Sequence, residues 1–291
     1  MDANWTVQTL GSNVIQVSET VEKTRGWESW FLLSSDRHHD NSHTNQELER
    51  KHLDLALERG AGVIDAGDLH CAMQGKFDPR QDRSALREEY TCGNYLDALV
   101  REAVDFYDPY AKNWIVMGRG NHEQSIKRRH ETDLTERTVA CIKQKTPESP
   151  INTGGYGGYV LFKFNRGKQG STQTVKLKYY HGAGGGGPVT RGVIQTNRMA
   201  VFLPDADIVL TGHTHDIWQV PIARERVTAR GRIYLSEQLH VRSGTYKDEY
   251  GYGEEGWHVE TMKPPKPMGA WWLRFYYENK DNLKWQAIRA T

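Results

Sequence analysis

The sequence has little of what holds extracellular or membrane proteins together. Its three cysteines, Cys71, Cys92 and Cys141, are odd in number and widely spaced, which argues against a disulfide framework and suits a reducing compartment. No apolar run approaches the ~20 residues that a membrane helix needs. The first residues lack the basic and apolar regions of a signal peptide. We therefore expect a cytoplasmic protein with no membrane partner.

An excess of charge of one sign is also missing. The 38 Lys and Arg residues nearly balance the 37 Asp and Glu residues, leaving a net charge of +1. No overall field therefore attracts nucleic acid, and binding to it would need a local basic patch. Internal repeats and heptads are absent too, which excludes solenoids and coiled coils. The length of 291 residues allows one large α/β domain or two small domains.

What the chain does have is a series of short apolar runs separated by helical patterns. Residues 30–35 form a compact apolar run that predicts a buried strand. A helix is expected from the capping-box signature of Thr44 and Glu47 to a stop at Gly60. Residues 62–66 predict the next strand. A strand, a helix and a strand in this order indicate a parallel pair joined by a crossover.

The same patterns continue to the C-terminus. Further helices are predicted at residues 96–107, around 134–142, and at 190–203. Further strands are predicted at 13–17, 114–117, 160–164, 175–179, 207–211, 232–235 and 271–277. Two polar or Gly-, Tyr- and Pro-rich stretches, 71–93 and 244–269, are expected to be long loops.

Metal-capable side chains stand where five of the predicted strands end. They are Asp36 with His38, Asp68, Asn121, His181, and His213 with His215. In open α/β sheets ligands bind at the carboxyl ends of the strands, so we expect these side chains to converge. Mixed carboxylates and imidazoles suit Mn²⁺, Fe or Zn²⁺ better than Ca²⁺. Two ions that share a carboxylate would use all seven. Taken alone, the last two histidines would also fit an ordinary surface turn.

These residues carry a resemblance to a known family. Asp36-x-His38, Gly67-Asp68, Gly120-Asn121-His122-Glu123, His181 and Gly212-His213-x-His215 resemble the motif set of the calcineurin-like metallophosphoesterase superfamily, in order and within residues 30–216. They are also similar to a prophage-borne branch of it. The resemblance implies a four-layer α/β/β/α sandwich with two mixed β-sheets and a metal site at the C-terminal ends of the strands. We expect a single domain over 1–291, in which strands and a loop of 217–291 complete the second sheet and the rim of the site.

The resemblance also implies roles for the motif residues. One divalent ion would be held by Asp36, His38, Asp68 and His215, and a second by Asp68, Asn121, His181 and His213. A bridging Asp68 would offset the repulsion between two cations ~3.5–4 Å apart. Mn²⁺ is the first expectation, with Fe, Zn or Ni as alternatives. His122 is the candidate general acid, or else a residue that orients its neighbours.

The chain departs from the protein Ser/Thr phosphatases of this superfamily. Their Gly-Asp motif ends in Asp-Arg-Gly, whereas Asp68 is followed here by Leu69 and His70. The sequence is therefore more similar to the phosphodiesterase and nuclease branches. Arg37, His39 and Arg119 are the candidate substrate contacts.

These features predict an enzyme that hydrolyses a phosphodiester with a metal-activated hydroxide, with a nuclease or a nucleotide phosphodiesterase as the leading forms. One alternative is a phosphomonoesterase acting on a small molecule or nucleotide, and another is a non-catalytic metal-binding scaffold for a protein partner. Nucleic acid thus stays among the candidate substrates. A nuclease should have a groove lined by basic and aromatic groups. A small-molecule enzyme should have a closed pocket built by residues 71–93 and 244–269.

Overall fold

Two mixed β-sheets packed face to face form the centre of the protein. The structure, a computed structural model, describes residues 4–73, 86–167, 171–185, 187, 189–251 and 257–291. The strands are β1 Trp5–Gly11, β2 Val14–Thr20, β3 Glu28–Ser34, β4 Gly62–Asp65, β5 Trp114–Met117, β6 Asn152–Thr153, β7 Gly157–Asn165, β8 Thr172–Tyr180, β9 Ile208–Thr211, β10 Trp218–Val227, β11 Ile233–Arg242, β12 Ala270–Asn279 and β13 Asn282–Ala290. The helices are α1 Gln46–Arg59, α2 Tyr95–Tyr107, α3 Asn121–His130, α4 Leu134–Lys145, α5 Val193–Phe202 and α6 Trp257–Glu260.

The order of the strands brings the predicted ligand motifs to neighbouring positions. One sheet has seven strands in the order β1-β2-β7-β8-β9-β11-β10, and the other has six in the order β13-β12-β3-β4-β5-β6. Strands β3, β4 and β5 pair in parallel, as do β8 and β9. Parallel neighbours end at the same edge of their sheet. The five strands that precede ligand motifs therefore form one parallel trio and one parallel pair.

Apolar side chains fill three layers between and outside the sheets. Along β7 buried and half-buried residues alternate, so Phe162 packs between the sheets against Phe31 and Phe275, with ring centroids 4.6 and 4.9 Å away. Outside the six-stranded sheet, the second apolar layer takes residues from α1, α2 and α4. Outside the other sheet, Met199 of α5 packs near Val209 of β9. The predicted four-layer α/β/β/α sandwich is confirmed.

Helix α1 begins one residue later than its sequence signature indicates. The side chain of Asn45 caps it by accepting a hydrogen bond from the backbone N–H of Leu48 at 2.8 Å. The predicted capping box is wrong, because the Thr44 hydroxyl donates to the carbonyl of His38 at 2.6 Å instead. The predicted stop is confirmed, since Gly60 adopts a left-handed φ of 60° at the C-cap.

Several elements were missed for identifiable reasons. Helix α3 has one fully buried apolar residue, Ile126, among mostly polar neighbours, so no apolar stripe marks it. Strand β10 alternates exposed and half-buried residues and contains Pro221. The strands after residue 217 do not complete a single sheet: β10 and β11 join the seven-stranded sheet, while β12 and β13 join the other. Parts of the two predicted loops, residues 74–85 and 252–256, lie outside the described residues.

All three cysteines are free thiols, with Cys71 buried and Cys92 exposed. Within the ranges that the structure describes, no helix combines the length and the apolar character needed to cross a membrane.

A buried ionic network joins α1 to the six-stranded sheet. The fully buried Arg37 donates from Nη1 to Glu49 and from Nε to Asp65, each at 2.8 Å. Its guanidinium also lies over the rings of Trp114 and Tyr246, with centroids 5.0 and 4.9 Å away. Arg37 therefore neutralises two carboxylates that have no access to water.

Replacing Arg37→Met should destabilise the protein strongly. Methionine fills a similar volume but leaves the carboxylates of Glu49 and Asp65 buried without a cation, which costs about 3–5 kcal/mol. The measurement is the free energy of unfolding in urea. The control Arg137→Met breaks the exposed ion pair with Asp97 and should cost less than about 1 kcal/mol. Equal losses in the two variants would mean that the buried network contributes no more than a surface pair.

Candidate metal centre

The side chains predicted to bind metals come together, and five of the seven line one cavity. Six of them form two groups of three whose ligand atoms lie within 4.8 Å of one another: Asp36, His38 and His215, and Asp68, His181 and His213. The seventh, Asn121, belongs to the second group, because its Oδ1 lies 3.0 Å from His181 Nε2 and 2.7 Å from His213 Nδ1. All seven predicted ligand positions thus converge.

The backbone is strained where these side chains leave their strands. Positive φ angles between 47° and 75° occur at five of the predicted ligands: Asp36, His38, Asp68, His213 and His215. Such conformations are uncommon for residues other than glycine, cost about 1–3 kcal/mol each and cluster at functional sites. The first two motifs stabilise each other, since the backbone N–H of His38 donates to the carbonyl of Asp68 at 3.0 Å.

Each aspartate uses one oxygen to hold the protein together and directs the other at the site. Oδ2 of Asp36 accepts a hydrogen bond from the backbone N–H of His213 at 2.8 Å. Oδ1 of Asp68 accepts one from the backbone N–H of His122 at 2.9 Å. The second oxygen of Asp68 faces His181 Nε2 at 3.1 Å. Both carboxylates are therefore fixed in orientation before anything binds.

Two motif glycines permit this close packing. A Cβ atom on Gly120 would meet Asp68 Oδ1 at 2.0 Å, and one on Gly212 would meet Ser35 Oγ at 2.0 Å and Asp36 Oδ2 at 2.4 Å. Any larger residue at either position would have to displace a ligand carboxylate. Glycine is therefore required at both positions because the aspartate side chains leave no room for a Cβ atom.

Within each of the two groups, an anionic carboxylate lies beside a cationic imidazole. Burial alone would lower the pKa of His181, but the charge and hydrogen bond of Asp68 outweigh it and raise that pKa to about 9. Burial is likewise outweighed at His215, where Asp36 and Glu249 raise the pKa to about 10. Burial would raise the pKa of Asp36, yet the neighbouring histidines lower it to about 2. At neutral pH, ionised carboxylates therefore face protonated imidazoles.

The donor atoms fit a divalent cation. Asp36 Oδ1 is buried and makes no hydrogen bond within the described part of the chain. The Nε2 atoms of His38 and His215 face each other at 3.2 Å and lie 4.0 and 3.4 Å from that oxygen. Two imidazole nitrogens and a carboxylate oxygen around one point are a donor set that Mn²⁺, Fe²⁺ and Zn²⁺ accept. One cation would satisfy all three atoms.

His122 stands beside the second group. Its Nδ1–H donates to the carbonyl of Cys71, and its Nε2 lies 3.8 Å from Asp68 Oδ2. The ring is 13% exposed and lines the cavity. The hydrogen bond to the carbonyl fixes the ring so that Nε2 is the nitrogen that can exchange a proton with a bound molecule.

The three predicted substrate contacts lie away from the cavity, which corrects that expectation. Arg37 is fully buried in the ionic network under α1. His39 is buried as well, with Nδ1 3.1 Å from a carboxylate oxygen of Glu49. Arg119 pairs with Asp133 and does not line the cavity. None of the three therefore faces the cavity over the ligand groups.

Two glutamates that sequence reasoning did not assign support the site. The buried carboxylate of Glu123 accepts backbone N–H groups of Gly120 at 2.9 Å and His70 at 2.8 Å, and burial together with Asp68 raises its pKa to about 8. Its position three residues after Gly120, at the start of α3, is a capping signal that the sequence contains. Glu249 approaches His215 Nδ1 at 3.5 Å, and no local pattern marks it.

A cavity of about 620 Å³ opens over both groups. Its outer walls come from both predicted loops: residues 71, 73 and 86 from one, and residues 247, 249, 258 and 262–267 from the other. The lysines there are partly neutralised, since Lys247 pairs with Glu249 at 2.8 Å and Lys266 with Asp216 at 2.7 Å. The volume is within the ~300–1,000 Å³ typical of small-molecule pockets.

Comparison with known proteins gives distant structural likenesses. No model of a known protein family matches the chain, and no curated protein matches it. An uncharacterized Streptococcus pneumoniae protein named a predicted phosphoesterase is 11% identical with a TM-score of 0.31, covering 90% of this chain and 99% of its own. A Thermotoga maritima protein solved by NMR is 13% identical with a TM-score of 0.33 and the same coverage. A metallophosphoesterase from Sphaerobacter thermophilus is 14% identical with a TM-score of 0.35, covering 90% of this chain and 89% of its own. At TM-scores of 0.31, 0.33 and 0.35 these likenesses carry no argument about this chain.

Proposed function

We propose that this protein is a dinuclear metal-dependent phosphoesterase of the calcineurin-like superfamily, and that it hydrolyses a phosphodiester. One observation carries the proposal: seven ligand-type side chains from five strand ends converge as two groups, and five of the seven line one cavity. Residues of the motif region 30–216 and residues of the C-terminal segment 217–291 both line that cavity. We therefore take 1–291 as one catalytic domain. Every ligand position of the motif set is filled, which argues against a non-catalytic scaffold.

The ligand groups suggest how the ions would be shared. One ion would be held by Asp36, His38 and His215, and the other by Asp68, Asn121, His181 and His213, with Asp68 between them. Two bound cations would supply positive charge that neutralises a phosphate ester and would lower the pKa of a water molecule. Mn²⁺ is the first expectation because carboxylate, amide and imidazole donors are mixed, with Fe, Zn or Ni as alternatives.

His122 would act as the general acid. Its Nε2 faces the cavity beside Asp68, while its Nδ1–H is held by a backbone carbonyl. A proton on Nε2 is therefore positioned to pass to the leaving oxygen as the ester bond breaks. The residues of the cavity would hold the phosphate ester beside the His122 ring.

A small phosphodiester is the substrate class that the cavity supports best. A terminal phosphate dianion is usually bound by arginine side chains. Here Arg37 and Arg119 form ion pairs away from the cavity, and Arg191 lies exposed at its rim. A nuclease groove would show basic and aromatic groups in series, but Tyr95 is the one Phe, Tyr or Trp among the described lining residues. The cavity volume of about 620 Å³ favours a nucleotide-sized diester over duplex DNA.

A substrate panel tests this proposal. The Mn²⁺-supplemented protein would be assayed on bis-p-nitrophenyl phosphate, p-nitrophenyl phosphate, cyclic nucleotides, and single- and double-stranded DNA. We expect hydrolysis of the small diesters to be faster than hydrolysis of the monoester or of duplex DNA. A metal-loaded protein that cleaves none of them would count against the proposal, and preference for the monoester would select the phosphomonoesterase alternative.

Two substitutions should separate metal binding from acid catalysis. Asp68→Asn and His122→Ala should each lower turnover of the preferred diester by about 10²-fold or more. Asp68→Asn should also lower the metal content, because it removes an anionic ligand, whereas His122→Ala should keep both ions. Turnover and bound metal are measured on the same samples, with the exposed Asp105→Asn as control. Wild-type turnover in either variant would contradict the role assigned to that residue.

Binding of the metals should release protons. At pH 7.5 His181 and His215, with pKa values of about 9 and about 10, are protonated in the metal-free protein, and a histidine must lose its proton to become a ligand. We expect about two protons released per protein, with apparent affinity rising with pH until about pH 10 and then levelling off. Calorimetry in two buffers of different ionisation enthalpy measures the release. Metal uptake without proton release at pH 7.5 would contradict this assignment.

A further inference from the structure

A short segment connects the first and last ligand motifs. In residues 243–249, which we call the strap, the backbone N–H of Ser243 donates to the carbonyl of Thr211 at the end of β9, at 2.8 Å. Two residues later the hydroxyl of Thr245 donates to the carbonyl of Asp36 at 2.8 Å. The strap therefore runs from the motif that carries His215 to the motif that carries Asp36.

The strap ends in a carboxylate beside a predicted ligand. Oε2 of Glu249 lies 3.5 Å from His215 Nδ1 and 2.8 Å from His258 Nε2, and Oε1 lies 2.8 Å from Lys247 Nζ. The side chain of Glu249 is 9% exposed. Lys247 of the strap and His258 of α6 therefore fix this carboxylate in place against the outer nitrogen of the His215 ring.

The two nitrogens of His215 face different partners. Nε2 points to Asp36 Oδ1 at 3.4 Å and to His38 at 3.2 Å, whereas Nδ1 points to Glu249. A neutral imidazole that binds a cation through one nitrogen carries its proton on the other, and a carboxylate that accepts this proton fixes the tautomer and the ring.

The other ligand histidines do not share this arrangement. The Nδ1 atoms of His38 and His181 are buried and make no hydrogen bond to any residue that the structure describes, and Nδ1 of His213 faces Asn121. Among the residues that the structure describes, a carboxylate behind the ring is therefore particular to His215 of the Asp36 group. Its loss should affect one ion and not the other.

We propose that Glu249 is a positioning residue that holds His215 in the tautomer and orientation needed to bind the ion of the Asp36 group. This inference rests on the proposed function, because it requires a cation at that group. It also assigns a role in metal binding to the segment that forms a wall of the cavity.

The test compares variants at Glu249 with a matched glutamate control in α6. Glu249→Ala removes the acceptor, and Glu249→Gln keeps the volume and one acceptor oxygen, so it also serves if the alanine variant unfolds. Glu260→Gln changes an exposed glutamate of α6 and is the control. Asn121→Ala, which removes a donor of the other group, is the reference for losing the second ion. Mn²⁺ stoichiometry and affinity are measured by calorimetry, and the pairing of the ions by electron paramagnetic resonance.

We expect wild-type protein and Glu260→Gln to bind two ions. In Glu249→Ala one ion should bind about 10–100-fold more weakly while the other is unchanged, and Glu249→Gln should lose less. Unchanged affinity of both ions in both Glu249 variants would overturn this inference and leave the proposed function intact. Equal weakening of both ions with a lower unfolding temperature would overturn it as well, because that result marks general loosening. Wild-type protein that binds no Mn²⁺ would overturn the proposed function and this inference together.

Discussion

Two carboxylates, Asp36 and Asp68, are ionised although they are almost completely buried. A buried charge is tolerated only if it is hydrogen-bonded and neutralised. Each aspartate meets the first condition with a backbone N–H on one oxygen and the second with a histidine near the other. The arrangement that stabilises the metal-free protein is thus also an arrangement in which a cation can replace a proton. Charge balance at these two residues determines what the surrounding turns must provide.

Neither sheet could build this arrangement by itself. Asp36, Asp68 and Asn121 follow strands of the six-stranded sheet, whereas His181, His213 and His215 follow strands of the seven-stranded sheet. Each ligand group contains members from both. The distances within the groups therefore depend on how the sheets pack, which is set by the aromatic side chains between them. The strain of five left-handed residues at the site, at about 1–3 kcal/mol each, is offset by that interior.

The sequence predicted those parts of the site that depend on local pattern. An apolar run followed by Asp36 or His213 indicates a strand and the residue at its end, and both are local facts. The direction in which the Arg37 side chain points does not follow from the local pattern. Its neighbours at 36 and 38 face the site, whereas Arg37 contacts Glu49 and Asp65 in the core. The cap at Asn45 shows the same limit, because a hydrogen bond to the carbonyl of His38, six residues earlier in the chain, occupies the Thr44 hydroxyl. In both cases the deciding partner lies outside the pattern from which the prediction was made.

Strand ends and loops contribute differently to a site of this kind. The strand ends hold the ligand atoms, and their geometry is fixed by buried sheets that tolerate little change. Loop residues such as Met73, Leu86 and those at 262–267 form the outer walls. Changes there can alter which ester fits without altering the chemistry beneath. Glu249 breaks this separation, because a residue of a wall segment reaches the outer nitrogen of a ligand histidine. A change in that segment would therefore alter cation binding and substrate fit together, whereas a change near Leu86 would alter the fit alone.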